Sequence, residues 1–173
     1  MNRNIVVICL DTVRKDFFDE YAHRLRKAAD ISFEQCRAAS AWSVPSHASM
    51  LSGRLPHQHG IHTYQRNFAC LNTEKIITGE LTEHTAIGVS ANVYASSAFG
   101  FDTLFDEFVD ISPTHRFPDG LDVRRFGFEC EADGLKYYSE LLEKALSHEH
   151  PVKSVSNEVL AKVYHLSREL PIP

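Results

Sequence analysis

The side chains best suited to chemistry lie in residues 41–62, which read AWSVPSHASMLSGRLPHQHGIH. Ser43 stands two positions before Pro45, and an Ala/Ser/Met/Leu run then continues to Gly53. Proline in the first turn and glycine just past the end are typical of a helix, so we expect Ser43 to cap or immediately precede one. The free N–H groups and the dipole at such a terminus favour an anion, for example a sulfate or phosphate ester.

A second candidate, Asp11, directly follows the apolar run IVVICL of residues 5–10. A continuous β-branched run predicts a strand that is buried on both faces, as in a parallel sheet. Folds of the α/β class place their ligands at the carboxyl ends of such strands. A carboxylate at this position makes Asp11 a candidate ligand for a divalent cation.

Each candidate also has a plainer structural interpretation. Ser43 could be an ordinary N-cap, and Asp11 could be a turn residue at the end of a strand. His57, His59 and His62 are close together in the sequence, and histidine is a common metal ligand. Their H-x-H-x-x-H spacing, with a glycine inside a turn, is not a standard zinc arrangement.

Three segments between residues 4 and 108 resemble, in order, the sulfatase family of the alkaline-phosphatase-like superfamily. The family signature is a Cys or Ser nucleophile followed by Pro, Ser and Arg and then by Leu, Thr, Gly and Arg. The positions that match it are Ser43, Pro45, Ser46, Leu51, Ser52, Gly53 and Arg54. The segment IVVICLDTVRKDF resembles the first strand and metal-binding Asp of the family, and the segments GFD and FD at residues 100–106 resemble its GFD…FD stretch.

The resemblance implies a hydrolase of small anionic esters of sulfate, or of phosphate or phosphonate. It implies Ser43 as the nucleophile, either as a metal-bound alkoxide or converted to formylglycine, with His47 in the catalytic site. Asp11 and Ser43 would be the metal ligands, with Ca²⁺ as the first choice and Mg²⁺, Mn²⁺ or Zn²⁺ as alternatives. Their side-chain oxygens would then lie within about 6 Å of each other, close enough to share one cation. His59 belongs to an HG step common in the family, and with Asn92 it would contact the substrate.

The chain departs from the family pattern in four places. It has Asp11-Thr12 instead of paired Asp residues, and His47 instead of Arg, which weakens the case for formylglycine. Asn92 lies where the family has a Lys and a His, and no Asp that could pair with a late His or Asn follows Asp133. These losses predict little or no turnover by this chain. They leave open a second hypothesis, a non-catalytic remnant that binds anions or a partner.

The composition is that of a globular protein, with 43% hydrophobic and 24% charged residues and a formal net charge of -5. Acidic and basic residues are mixed along the chain without a basic patch, which argues against nucleic acid as a partner. A membrane span would need a run of about 20 apolar residues, and the sequence has none. The four cysteines, among them Cys9 in the predicted strand, form no C-x-x-C pair. We expect Cys9 to be buried and the chain to be cytoplasmic.

The elements around these motifs predict an α/β fold with a central, largely parallel sheet flanked by helices and truncated at its C-terminal side. We expect helices over residues 18–29, 131–147 and 157–170, the last stopped by Pro171, and a second interior strand over residues 85–90. The helix over 131–147 has Leu135, Tyr138, Leu142 and Leu146 on one face.

In terms of domains, residues 1–173 are predicted to form one partial sulfatase-like domain. Its motif-bearing core would be residues 4–108, followed by a loop at 110–129 and C-terminal helices at 131–170. A sheet without its C-terminal strands would have an unpaired edge, and the chain could associate with itself there.

Overall fold

A computed structural model describes residues 3–169. The elements in chain order are α1 (Lys15–Tyr21), α2 (His23–Ala28), α3 (Ser43–Ser52), α4 (Pro56–His59), α5 (Ile77–Glu80), β1 (Ile87–Ser90), β2 (Glu107–Asp110), α6 (Val123–Glu129), α7 (Gly134–Leu146) and α8 (Pro151–Glu169). Because helices flank a parallel strand pair along the chain, the fold is broadly α/β. Within the described part of the chain, no helix is both long and apolar enough to cross a bilayer.

The chain divides into two compact units. The first unit contains the described residues up to Arg66 together with Leu71–His84, and the second contains Asn67–Cys70 together with the described residues from Thr85 onward. The first unit therefore contains α1 to α5, and the second contains both strands and α6 to α8. The single domain predicted for residues 1–173 stays a prediction.

Helix α3 contributes buried apolar side chains to the first unit. Val44, Ala48 and Leu51 lie one turn apart and are buried, as is Ile61 just after α4. The helix ends at Gly53, whose φ of 65° lies in the left-handed region and whose N–H donates to the Ser49 carbonyl. The predicted helix, with proline in its first turn and glycine past its end, is confirmed.

The buried strand predicted for residues 5–10 is wrong. This segment has no regular secondary structure, and its side chains are exposed: Val6 by 78% and Ile8 by 73%. Cys9, expected to be buried, is exposed as well. A strand buried on both faces needs neighbouring strands and covering layers, and the only strands that pair among the described residues are β1 and β2.

The sheet of the second unit is the parallel pair β1 and β2, with Ile87 opposite Glu107. The strand predicted for residues 85–90 is confirmed over Ile87–Ser90, but it is not interior. Gly88 is buried against the rings of Phe105 and Phe108, where a Cβ would come within 2.9 Å of ring carbons. Ile87, on the opposite face, is 60% exposed, so only one face of the strand is covered.

The segment over residues 110–129, predicted to be a loop, contains the end of β2 and all of α6. Helix α6 begins after Asp122, whose carboxylate accepts a hydrogen bond from the Arg124 N–H and so caps the helix. Seven residues are too few for periodicity to reveal a helix, which explains why it was missed. The rest of the segment is held by α8, where the Asn157 amide bonds both the N–H and the carbonyl of Phe117 at 3.0 Å.

The two C-terminal helices are confirmed with shifted bounds. Helix α7 covers Gly134–Leu146, and α8 begins at Pro151, six residues before its predicted start, while the predicted stop at Pro171 lies outside the described residues. Leu141 of α7 and Ala161 of α8 are buried with Phe126 of α6 in the core of the second unit.

Candidate active site

Ser43 and Asp11 meet in the first unit. The Ser43 hydroxyl donates a hydrogen bond to Oδ2 of Asp11 at 3.0 Å, which confirms the predicted separation of less than about 6 Å. Ser43 is the first residue of α3, and the N-cap position is occupied by Trp42 without a side-chain cap. The Ser43 hydroxyl thus bonds Asp11 in the structure, and the plain N-cap interpretation of Ser43 is not what the structure shows.

The backbone beside Asp11 is held in an uncommon conformation. Thr12 has a φ of 61°, in the left-handed region that β-branched residues rarely adopt, and such residues cost on the order of 1–3 kcal/mol each. The Thr12 hydroxyl donates to the Asp11 carbonyl at 2.7 Å, and the N–H of Val13 donates to the Leu10 carbonyl at 3.4 Å. This tight turn fixes the orientation of the backbone that carries the Asp11 side chain.

The start of α3 adds backbone donors next to the Ser43 hydroxyl. The first intrahelical hydrogen bond runs from the N–H of Ser46 to the carbonyl of Trp42 at 3.2 Å. The N–H groups of Ser43 and Val44 precede that bond, and Pro45 has none. A helix start of this kind favours an anion through its N–H groups and its dipole.

His47 reaches the backbone of Ser43 from the next turn of α3. Its Nδ1 lies 2.7 Å from the Ser43 carbonyl oxygen, and the side chain is buried. A carbonyl only accepts, so Nδ1 carries the hydrogen, and in a neutral ring Nε2 is then the acceptor. This contact makes His47 a residue that positions Ser43, and its predicted catalytic role stays a prediction.

Both ring nitrogens of His59 make hydrogen bonds, and Nε2 joins α4 to Ser49 of α3. Its Nδ1 accepts from the N–H of Ile61 at 3.1 Å, so a neutral ring donates from Nε2 to the Ser49 hydroxyl at 3.0 Å. Burial lowers the pKa of His59; the Pro45 carbonyl opposes this shift and the charge of His57 adds to it. These contacts give His59 a structural role, and its predicted contact with substrate stays a prediction.

Asn92 belongs to the second unit, in the turn that follows β1. Its Oδ1 accepts a hydrogen bond from the N–H of Tyr94 at 2.9 Å and so caps the short 3₁₀ turn Val93–Ala95. This is an ordinary use of asparagine ahead of a turn. The substrate contact predicted for Asn92 stays a prediction.

The described residues do not complete a cation site. Across residues 3–169, no group of three or more His, Cys, Asp or Glu side chains is arranged to hold a metal ion. Asp11 and Ser43 provide one carboxylate and one hydroxyl, whereas a hard cation such as Ca²⁺ takes about 6–8 oxygen ligands. These two side chains therefore do not suffice to hold a cation tightly without further ligands.

Sequence reasoning missed a buried charged cluster in the second unit. Arg124 bonds Asp110 and Asp122, with Nη2 at 2.7 Å from an oxygen of each, and all three side chains are 10–14% exposed. Ser97 also donates to Asp110 at 2.8 Å. Burial alone would raise the pKa of both carboxyls, but the hydrogen bonds and charge of Arg124 outweigh it and hold each pKa below its usual value. The D-x-R spacing of Asp122 and Arg124 was the available signal.

Comparison of the chain with protein-family models, with curated proteins and with solved structures finds no match. The resemblance to sulfatases therefore depends on the motifs and on the contact between Ser43 and Asp11.

Proposed function

We propose that Ser43 and Asp11 form the nucleophile end of a sulfatase-like site for small sulfate, phosphate or phosphonate esters. The observation that carries this proposal is the 3.0 Å hydrogen bond from the Ser43 hydroxyl to the Asp11 carboxylate. Two segments that resemble one family's active site thereby share a single contact. Turnover requires further ligands beyond the residues described, so the chain alone is a weak or inactive hydrolase.

The hydrogen bond gives both residues defined chemical roles. As the Ser43 oxygen attacks sulfur or phosphorus, its proton passes to the Asp11 carboxylate that already accepts it. The bond from sulfur or phosphorus to the alcohol oxygen of the ester breaks, and the alcohol leaves after taking up a proton. The N–H groups at the start of α3 stabilise the negative charge on the transferred group. His47 holds the carbonyl of Ser43 and so fixes the first turn that presents the hydroxyl.

The same contact favours an unmodified serine over formylglycine. The hydroxyl of Ser43 has an acceptor in place, and His47 stands where the family has the Arg that accompanies the modified residue. A reducing, cytoplasmic setting belongs to this proposal, because all four cysteines are free thiols and three of them are exposed.

The experiment that tests the proposal is a binding titration with Mn²⁺ and orthovanadate, a phosphoryl-transfer analogue that can form an ester with an activated hydroxyl. With so few ligands, we expect weak binding, with a Kd on the order of 10⁻³ M. Asp11→Asn and Ser43→Ala should each weaken it at least about tenfold, about 1.4 kcal/mol. Equal binding by both variants and the unmodified chain would contradict the proposal.

Two matched controls separate the site from general surface effects. Asp16→Asn removes an exposed carboxylate of the same segment, which pairs with Arg14. Ser52→Ala removes a hydroxyl of the same helix, which bonds the Ala48 carbonyl. Both controls should bind like the unmodified chain.

The same titration tests the second hypothesis, a non-catalytic remnant that binds anions. The observation that favours it is the small number of oxygen ligands at the Asp11 and Ser43 contact. Orthovanadate binding that needs no Mn²⁺ and survives both Asp11→Asn and Ser43→Ala would identify the backbone N–H groups of the helix start as a plain anion site. That result would replace the hydrolase proposal.

A further inference from the structure

Helix α7 of the second unit presents an apolar stripe to solvent. Leu135, Tyr138, Leu142 and Leu146 follow one another at spacings of three and four residues, and they are 89%, 43%, 52% and 60% exposed. The sequence predicted this amphipathic face, which in most globular proteins lies against the core. Here the core contacts of α7 are made by Leu141 and Ala145, on a different side of the helix.

Helix α8 has the reverse of the usual arrangement. Its buried side carries Ser154 and Asn157, both fully buried, whose side chains bond the segment before α6. Its apolar stripe consists of Val152, Val159, Val163 and Leu166, which are 79%, 54%, 56% and 48% exposed. At 100° per residue, this stripe lies on the side of the helix opposite Ser154 and Asn157.

The two stripes lie on the same face of the helix pair. Lys162 borders the α8 stripe, three residues from Val159 and four from Leu166. It donates to the Tyr138 hydroxyl at 2.6 Å, and its Nζ lies 5.0 Å from the centre of the Tyr138 ring. Tyr138 is itself a member of the α7 stripe, so this contact joins the edges of the two stripes. We call the combined surface the hairpin face, and it consists of Leu135, Tyr138, Leu142, Leu146, Val152, Val159, Val163 and Leu166.

We propose that the hairpin face packs against the hairpin face of a second copy of this chain, giving a two-fold contact of four helices. The exposed fractions add up to about five whole residues, which at roughly 150 Å² for a large side chain gives an area on the order of 700 Å². One partner of a standard interface contributes about 800 Å², and the largest apolar patch of an ordinary monomer is about 300–600 Å².

The chemistry of the face favours another protein face over a lipid surface. No charged residue belongs to either stripe, and the exposed charges along α7 have both signs, with Lys136 and Lys144 beside Glu140 and Glu143. A helix that lies on an anionic membrane has Lys or Arg concentrated along its polar side. The spacing of three and four residues suits helices that pack at about 20°, as in bundles, and a two-fold contact needs one self-complementary face.

The test is sedimentation equilibrium of the full chain over a wide concentration range, with a double variant, Leu142→Glu and Val159→Glu. The unmodified chain should fit a monomer–dimer equilibrium, and the double variant should dimerise at least about tenfold more weakly. Both substitutions lie at exposed positions, so circular dichroism should show unchanged helix content. A monomer at every concentration, open-ended association, or a double variant that dimerises normally would each overturn the proposal.

The control is Val6→Glu, the same change at a 78% exposed valine of the first unit. It should leave the dimer intact, whereas loss of the dimer in Val6→Glu would place the contact elsewhere and overturn the proposal. The thermal midpoint gives a second readout, because a dimer that stabilises the fold makes Tm rise with protein concentration. The Tm of the double variant should rise less steeply with protein concentration than that of the unmodified chain.

Discussion

The hydroxyl of Ser43 donates a 3.0 Å hydrogen bond to the carboxylate of Asp11, although the two residues lie 32 positions apart in the chain. One residue begins helix α3 and the other lies in a tight turn with Thr12 in the left-handed region. This contact between two separate motifs is the basis of the proposed site.

The contact should be measurable as a coupling energy. A double-mutant cycle with Ser43→Ala and Asp11→Asn should show a coupling of about 1 kcal/mol in the free energy of unfolding, because a partly buried hydrogen bond to a carboxylate contributes roughly that much. Urea titrations of the four proteins give this value. Combining Asp11→Asn with Ser52→Ala should instead be additive within about 0.5 kcal/mol, and equal coupling in both cycles would argue against a specific contact.

The conformation of Thr12 predicts a stabilising substitution. Thr12→Asn should raise the free energy of unfolding by roughly 0.5–1 kcal/mol, because asparagine tolerates the left-handed region and threonine does not. The urea midpoint of the variant measures the effect. Thr12→Val, which keeps the branched side chain and loses the 2.7 Å bond to the Asp11 carbonyl, should destabilise the protein. A loss of stability in Thr12→Asn would show that Thr12 does not strain this turn.

The buried Arg124 cluster predicts a change in the pH dependence of stability. Asp110 and Asp122 have lowered pKa values, so they stabilise the fold above their unfolded pKa of about 3.9 and lose that effect as pH falls through the lowered values. Arg124→Met leaves two buried carboxylates unpaired and should cost about 3–5 kcal/mol at pH 7. In this variant burial should raise their pKa values, so stability should increase as pH falls from 7 to 5.

Unfolding free energies from urea titrations at several pH values between 3 and 7 test both predictions. The unmodified chain should lose stability at the acid end, and Arg124→Met should gain stability as pH falls from 7 to 5. Arg125→Met is the matched control, because Arg125 pairs with Glu129 where both side chains are more than half exposed. An exposed pair of this kind contributes about 0–1 kcal/mol. If the free energy of unfolding changed with pH in the same way in Arg124→Met and Arg125→Met, the result would contradict the role given to the cluster.

We expect little or no turnover from the chain itself. Removing one stabilising donor from an active site costs about 10²–10³ in rate, and the described residues give a cation only one carboxylate and one hydroxyl at this contact. The assay uses aryl sulfate, phosphate monoester and phosphodiester substrates with Ca²⁺, Mg²⁺, Mn²⁺ and Zn²⁺ in turn. Metal-dependent turnover that Ser43→Ala abolishes would show that the chain needs no further ligands.

The sequence predicts local structure well where short-range signals decide it. Pro45 and Gly53 act through backbone rules within one helix, so α3 was predictable at both ends. The run at residues 5–10 has the composition of an interior strand, but burial also requires partner strands, which a local pattern does not supply. Likewise, the apolar face of α7 was visible in the sequence, whereas its direction, toward solvent, depends on packing.

The candidate site was predictable only in part, for a similar reason. The meeting of Asp11 and Ser43 followed from motifs that resemble one family's active site. The hydrogen bond between His59 Nε2 and Ser49 depends on how α4 packs against α3, which no motif encodes. The cluster around Arg124 joins residues up to 27 positions apart, and only a folded chain reveals it.

The most direct test of the proposed site locates Mn²⁺ by the paramagnetic broadening of backbone amide resonances in the presence of orthovanadate. We expect broadening centred on the amides of Asp11, Thr12, Ser43 and Val44, and its loss in both Asp11→Asn and Ser43→Ala. Broadening centred instead on another acidic region, such as Glu129 and Glu140, and unchanged in the two variants, would contradict a site at Asp11 and Ser43.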